Sequence, residues 1–219
     1  LDCMSGRDEL DGTSIDKDPG GYVSLDEPLK GKKIGVIKEY FDEGVDDGVR
    51  ERVQAALDRL AAEGAELIDV SLPSLPYALA VYYIVVPAEL SSNLARHDGQ
   101  RFQYSFDGAE NLDESYTQSR TRGFGTEAKR RIMIGTHVLS SGYYDAYYRK
   151  AQTVRTKLIN EFNAAFERVD VLVGPVAPTT AFKIGANEDP VQMYLQDIMT
   201  VSASLAGLPA ISLPCGMSG

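Results

Sequence analysis

The run KIGVIKEYFDEGVDDGVRERVQAALDRLAAEGAELIDVSL, residues 33–72, decides the fold class. Its first piece, 33–40 (KIGVIKEY), is short, apolar and β-branched, as a buried strand is. Over 46–63, Val49, Val53, Ala56, Leu57 and Leu60 recur at helical spacing, and Gly64 closes the helix. The piece 66–72 (ELIDVSL) is a second strand, stopped by Pro73. Strand, helix, strand at this spacing implies a parallel pair with a right-handed crossover. The expected class is α/β. The first turn of this unit has no glycine fingerprint, so dinucleotide binding does not follow from it. Residues 123–128 (GFGTEA) do match that fingerprint, but they follow the polar run SYTQSRTR rather than a strand, and the match is rejected.

Around this unit, apolar segments alternate with polar connections. Residues 1–30 are polar, with Gly20, Gly21 and Pro28, and read as a connecting segment. The opening LDCMSG reads as the end of a helix and the closing SLPCGMSG lies just past a strand, so the sequence reads as a fragment of a longer protein. The most apolar stretch, 77–90 (YALAVYYIVVPAEL), is too short to span a bilayer and belongs to a buried helix over 75–96 that Ser91-Ser92-Asn93 brings to its end. Residues 98–122 show no clear period and are read as loop plus a short helix. A helix over 124–139 follows, then a long one over 143–168 with a stripe of Tyr147, Ala151, Val154, Leu158, Phe162 and Ala165. VDVLV at 169–173 is a buried strand, and 174–180 (GPVAPTT) is a rigid loop at its carboxyl end, a usual place for ligand contacts in open α/β sheets. The spacing predicts a helix over 193–205, a break at Gly207-Leu208-Pro209 and a final strand at 210–213.

Composition narrows the function classes. A chain of 219 residues with 43% hydrophobic content can bury one substantial core. Its net charge of -10 argues against direct binding of a phosphate backbone, which needs a basic patch. Cys3 and Cys215 match no zinc spacing and no disulfide framework, so a reducing cytosol is the expected location. No signal peptide is visible. His97 and His137 are the only histidines, and no triad motif surrounds them. No serine sits in a Gly/Ser-rich strand-turn setting with a buried lysine beside it, so the residues offer no activated nucleophile. Tyr143, Tyr144, Tyr147 and Tyr148 either stack a base, line a pocket or, more commonly for such tyrosines, pack at a layer edge.

One charged residue points the wrong way. At about 100° per residue, Phe124, Ile132, Ile134, Val138 and Leu139 share one side of their helix and Met133 does not. Arg131 falls about 30° from the centre of that side, whereas Lys129 and Arg130 fall about 130° away and are ordinary solvated cations. An inward guanidinium needs an anionic partner, because an unpaired buried charge is very costly. Two readings follow: a structural ion pair with an internal Asp or Glu, or a clamp for a substrate carboxylate, which a planar guanidinium grips at two points. Asp197, about 90° from the apolar centre of its helix, either pairs with Arg131 or holds a substrate ammonium. Tyr82 and Tyr83 lie in the most apolar helix; a buried phenol seeks a partner, so one of them is expected to face a cavity.

Five runs carry a resemblance: GYVSLDEPLKGKKIGVIKEYF, AVYYIVVPAELSSNLARHDGQRF, GFGTEAKRRIMIGTHVLSSGYYDAYYRKAQTVRT, DVLVGPVAPTTAF and SLAGLPAISLPCG. In this order they resemble the amidase signature family, and within it the tRNA-dependent amidotransferase subunits. The resemblance implies a mixed sheet flanked by helices, with 1–30 connecting and 31–219 forming the C-terminal part of an amidase-signature domain. It implies a Ser–cis-Ser–Lys triad in a Gly/Ser-rich N-terminal portion that this sequence lacks, so the chain alone is not expected to catalyse. Arg131 matches the residue that binds the substrate α-carboxylate, Asp197 the acid near the α-amino group, and Tyr82 a tyrosine lining the same pocket. The activity implied is hydrolysis of glutamine to supply ammonia. A partner B subunit would use ATP and Mg²⁺ to amidate mischarged Glu-tRNA(Gln) or Asp-tRNA(Asn), with a small C subunit as third component and no membrane. A stand-alone amidase acting on another amide and a non-catalytic interaction module are the alternatives. A chain with half an α/β sheet is also expected to expose apolar edges and to self-associate.

Overall fold

A computed structural model of the chain describes residues 2–17, 21–22, 28–41, 44–186 and 190–217. Residues 18–20 and 23–27 of the polar opening segment, with Gly20 among them, lie outside the described residues, as do 187–189 of the loop before Asp197.

The strand–helix–strand unit forms as its spacing dictates. β1 (Lys33–Ile37) and β2 (Glu66–Val70) pair in parallel, Lys33 opposite Glu66 and Ile37 opposite Val70. α1 (Asp47–Ala62) joins them, and its N-cap Asp46 accepts a hydrogen bond from the Gly48 amide at 2.9 Å. Gly64, at φ +102°, turns the chain back where an L side chain would be strained. β3 (Val171–Val173) pairs in parallel with the other edge of β1, so the order is β2-β1-β3 and the three described strands run parallel. Alternation along β1 then serves two layers. Ile34 joins Val53, Leu57 and Ala65 in a cluster under α1, while Ile37 joins the larger core on the opposite face.

That larger core is built by α2 (Ala78–Asn93), α5 (Lys150–Phe166) and α7 (Val201–Ala206), through Val81, Val85, Leu158, Phe162, Val201 and Leu205. With short 3₁₀ turns at both ends, α2 extends to a continuous helical run, Leu75–Arg96, within which an 18-residue window has a mean hydropathy of 1.3. By length and composition that run could cross a bilayer. Here Ala78, Val81, Val85, Pro87 and Ala88 are buried and α2 packs against α4, α5 and α7, which makes it a core helix of this fold. The remaining helices are α3 (Leu112–Gly123), capped by Asn111, α4 (Thr126–Leu139) and α6 (Pro190–Leu195).

Five expectations change on contact with the structure. Strand 33–40 ends at Ile37, and Lys38–Phe41 is a 3₁₀ turn that buries Tyr40 against the Ser202 hydroxyl. Phe124 lies outside α4, in extended backbone between α3 and α4. Tyr147 leaves the α5 stripe and is 44% exposed, because Asp145–Arg149 is a turn of π-helix and its extra residue per turn rotates what precedes Ala151. The helix over 193–205 divides into α6 and α7 with a turn at 196–200 between them. The final strand at 210–213 does not form: Ile211 and Leu213 are exposed and no described strand lies alongside to complete their hydrogen bonds.

Candidate functional site

The site is set by how closely α4 approaches α2. Gly135 lies against the Pro87 carbonyl, where a Cβ would stand 1.9 Å from the oxygen. One turn earlier on each helix stand Arg131 and Tyr83, and the Arg131 guanidinium carbon lies 5.5 Å over the Tyr83 ring. Tyr194, from α6, completes the packing: the same carbon is 5.9 Å from its ring, and the two tyrosine rings stack at 4.2 Å with a tilt of 31°. Tyr82 meets Tyr83 edge-on at 5.1 Å.

Hydrogen bonds fix these groups. Arg131 Nε donates to Glu127 Oε1 at 2.9 Å, and the Tyr194 hydroxyl donates to the same oxygen at 3.0 Å. Arg130 pairs with the other oxygen of Glu127. The Tyr83 hydroxyl donates to Asp197 Oδ2 at 3.1 Å. Charge follows geometry. Burial works to lower the Arg131 pKa, but the hydrogen bond to Glu127 and the neighbouring phenols outweigh it and hold the guanidinium above arginine's ordinary value. The bond from Arg131 holds the Glu127 carboxyl below the ordinary carboxylate value. Burial, then the bond to the Asp197 carboxylate, pushes the Tyr83 phenol up, so it stays protonated and donating at neutral pH.

Arg131 is therefore turned inward, with its side chain 22% exposed, while Lys129, Arg130 and Met133 face water as the helical geometry requires. It is ion-paired, to a carboxylate of its own helix rather than to Asp197. The three residues singled out in the sequence, Arg131, Asp197 and Tyr82, converge on Tyr83. A cation and an anion thus flank one phenol, the charge pattern that complements an α-amino acid zwitterion. Two cavities lie elsewhere: one of about 270 Å³ among Leu94, His97, Tyr104 and Phe124, and one of about 570 Å³ along Thr126, Arg130, Met133 and Ile134.

The Amidase family model matches residues 1–219. This chain belongs to the amidase family. The A subunit of glutamyl-tRNA(Gln) amidotransferase from Caldanaerobacter subterraneus subsp. tengcongensis is 53% identical over 220 residues, covering 100% of this chain and 45% of that relative. The protein of the same name from Brevibacillus brevis is 54% identical over 220 residues, again covering 100% of this chain and 45% of the relative. Among solved structures, that of the glutamyl-tRNA(Gln) amidotransferase A subunit from Thermotoga maritima superposes with a TM-score of 0.70 at 39% identity, covering 97% of this chain and 42% of that one. The chain spans less than half the length of these relatives. The α/β class with a helix-flanked sheet is thus the amidase fold that the sequence runs implied.

Three members of this candidate site, Glu127, Tyr83 and Tyr194, are not among the residues assigned a role from the sequence. Glu127 has a local signal, lying four residues before Arg131 on one helix face, the spacing of an ion pair. Tyr83 is marked only as an alternative to Tyr82, and Tyr194 has no signal, because their pairing joins residues 111 positions apart that no periodicity relates.

Proposed function

We propose that this chain forms the substrate-binding part of the glutamine-hydrolysing subunit of a glutamyl-tRNA(Gln) amidotransferase. The observation that carries the reading is the placing of Arg131 over the Tyr83 ring and of Asp197 at the Tyr83 hydroxyl, in a chain 53% identical to an A subunit of that name. Arg131 grips the α-carboxylate of glutamine, Asp197 takes the α-ammonium, and Tyr82 and Tyr83 form the wall between them. Holding the amino-acid end directs the side-chain amide towards the nucleophile of the family. Fixing a substrate at one end converts binding into orientation of the reacting group.

In the assembled enzyme, residues 31–219 form the C-terminal part of an amidase-signature domain, preceded by the connector 1–30. The ammonia released passes to a partner B subunit, where ATP and Mg²⁺ drive amidation of mischarged Glu-tRNA(Gln) or Asp-tRNA(Asn). A small C subunit completes the complex, which works in the cytoplasm beside translation. The net charge of -10 supports contact of tRNA with the partner rather than with this chain.

The test is steady-state glutamine hydrolysis by the complete subunit carrying Arg131→Ala. Losing a charged partner of the carboxylate costs about 2–4 kcal/mol. Glutamine KM should rise roughly 30-fold or more. An unchanged KM overturns the assignment.

A further inference from the structure

We infer that Glu127 is a positioning residue that holds Arg131 by Nε and so reserves the edge formed by the two terminal guanidinium nitrogens for the substrate carboxylate. This rests on the reading of Arg131 as the carboxylate clamp and goes beyond it. A guanidinium presents a carboxylate with two forked edges, one made by Nε and a terminal nitrogen and one by both terminal nitrogens. Glu127 Oε1 occupies Nε at 2.9 Å, which spoils the first edge for a second carboxylate. Among the described residues no carboxylate pairs with the other edge. The flexible arginine stem has many rotamers, and here several contacts restrict it: Glu127 at Nε, the Tyr82 phenol beside the guanidinium, and the rings of Tyr83 and Tyr194 against it.

Glu127 is itself held. Its Oε1 accepts from the Tyr194 hydroxyl at 3.0 Å, and its Oε2 pairs with Arg130. A single oxygen therefore joins α4 to α6 and fixes the clamp in the same contact. The first-turn position of Glu127 on α4 suits a carboxylate, since the helix N-terminus carries partial positive charge. In this arrangement Glu127 touches no substrate atom. It acts through Arg131.

The test is a double-mutant cycle on glutamine KM and kcat in the complete subunit, using Arg131→Ala, Glu127→Ala and the pair. Glu127→Ala should raise KM about tenfold with kcat within about twofold, and the double variant should be no worse than Arg131→Ala alone. Glu127→Gln, whose amide oxygen still accepts from Arg131 and Tyr194, should restore KM to within about threefold of the parent. If Glu127→Ala does not accumulate as folded protein, Tyr194→Phe carries the test. It removes one hydroxyl from the same oxygen and should raise KM a few-fold in the parent and not at all beside Arg131→Ala. If Arg131→Ala raises KM and Glu127→Ala leaves it unchanged, the positioning role fails and the clamp stands. Additive effects in the double variant also overturn it, because Glu127 would then act independently. If Arg131→Ala itself leaves KM unchanged, the clamp fails and the positioning role with it.

Discussion

Gly135 and Pro87 meet backbone to backbone: the Cβ of any other residue at 135 would stand 1.9 Å from the Pro87 oxygen and 2.5 Å from its carbonyl carbon. No rotamer change relieves a clash with main chain, so α4 must move off α2. Pro87 adds to the local constraint, since it has no amide to donate to the carbonyl of Tyr83 four residues back. The contact sets the separation at which Arg131 lies over Tyr83 one turn away. Packing in the core and charge in the site are in this way one piece of geometry.

Gly135→Ala is therefore expected to destabilise. A helical Gly→Ala change gains about 1 kcal/mol of propensity. Overpacking against an immovable neighbour costs about 1–3 kcal/mol, and the backbone clash places this site at the upper end. The net expectation is a loss of about 1–2 kcal/mol in urea unfolding, together with a raised glutamine KM as Arg131 shifts. A variant as stable as the parent would show that the helices do not meet so closely.

Much of this was legible in the sequence, for reasons that differ by element. The crossover unit was readable because α1 buries one face at helical spacing, while β1, buried on both faces, is a short apolar β-branched run. Arg131 was readable because it breaks such a period on α4. The α6–α7 turn and the unpaired segment 210–213 were not, because what decides them lies outside their own residues: Met199 of the turn is buried in the core that α2, α5 and α7 build, and no described strand lies beside Ile211. The site partners Tyr83 and Tyr194 meet only through the folded chain, and a tyrosine in an apolar run carries no mark of the ring it will stack on.

Asp197→Asn separates charge from shape. The amide oxygen still accepts from Tyr83, but the ammonium loses its anion. The parent should prefer glutamine over its analogue lacking the α-amino group, and the variant should lose about tenfold or more of that preference in kcat/KM, as a charged hydrogen bond is worth about 1.5–3 kcal/mol. An unchanged preference would remove Asp197 from the site.

Glu127 gives stability a defined dependence on pH. Arg131 holds its folded pKa below the unfolded value of about 4.3. A lowered carboxylate contributes stability that is fully present above the unfolded value and is lost as pH falls through the folded one. Because the side chain is 45% exposed, the contribution is less than about 1 kcal/mol. The unfolding free energy of the parent relative to Glu127→Gln should be constant from pH 7 to 5 and should shrink towards pH 3. A difference that grows on acidification contradicts the pairing.

The buried contact between Tyr40 and Ser202 ties the carboxyl end of β1 to α7. Ser202 is fully buried, so Tyr40→Phe leaves its hydroxyl without that partner. The expected cost is about 1–3 kcal/mol. Thermal unfolding of that variant reads it directly.

The measurement closest to the central claim is a crystal structure of the complete subunit with glutamate, the hydrolysis product, which keeps both α groups and is not consumed. The account predicts the α-carboxylate on the terminal nitrogens of Arg131, the α-ammonium on Asp197, and Arg131 Nε still on Glu127. Glutamate bound at another place, with Arg131 engaged by Glu127 alone, would contradict it.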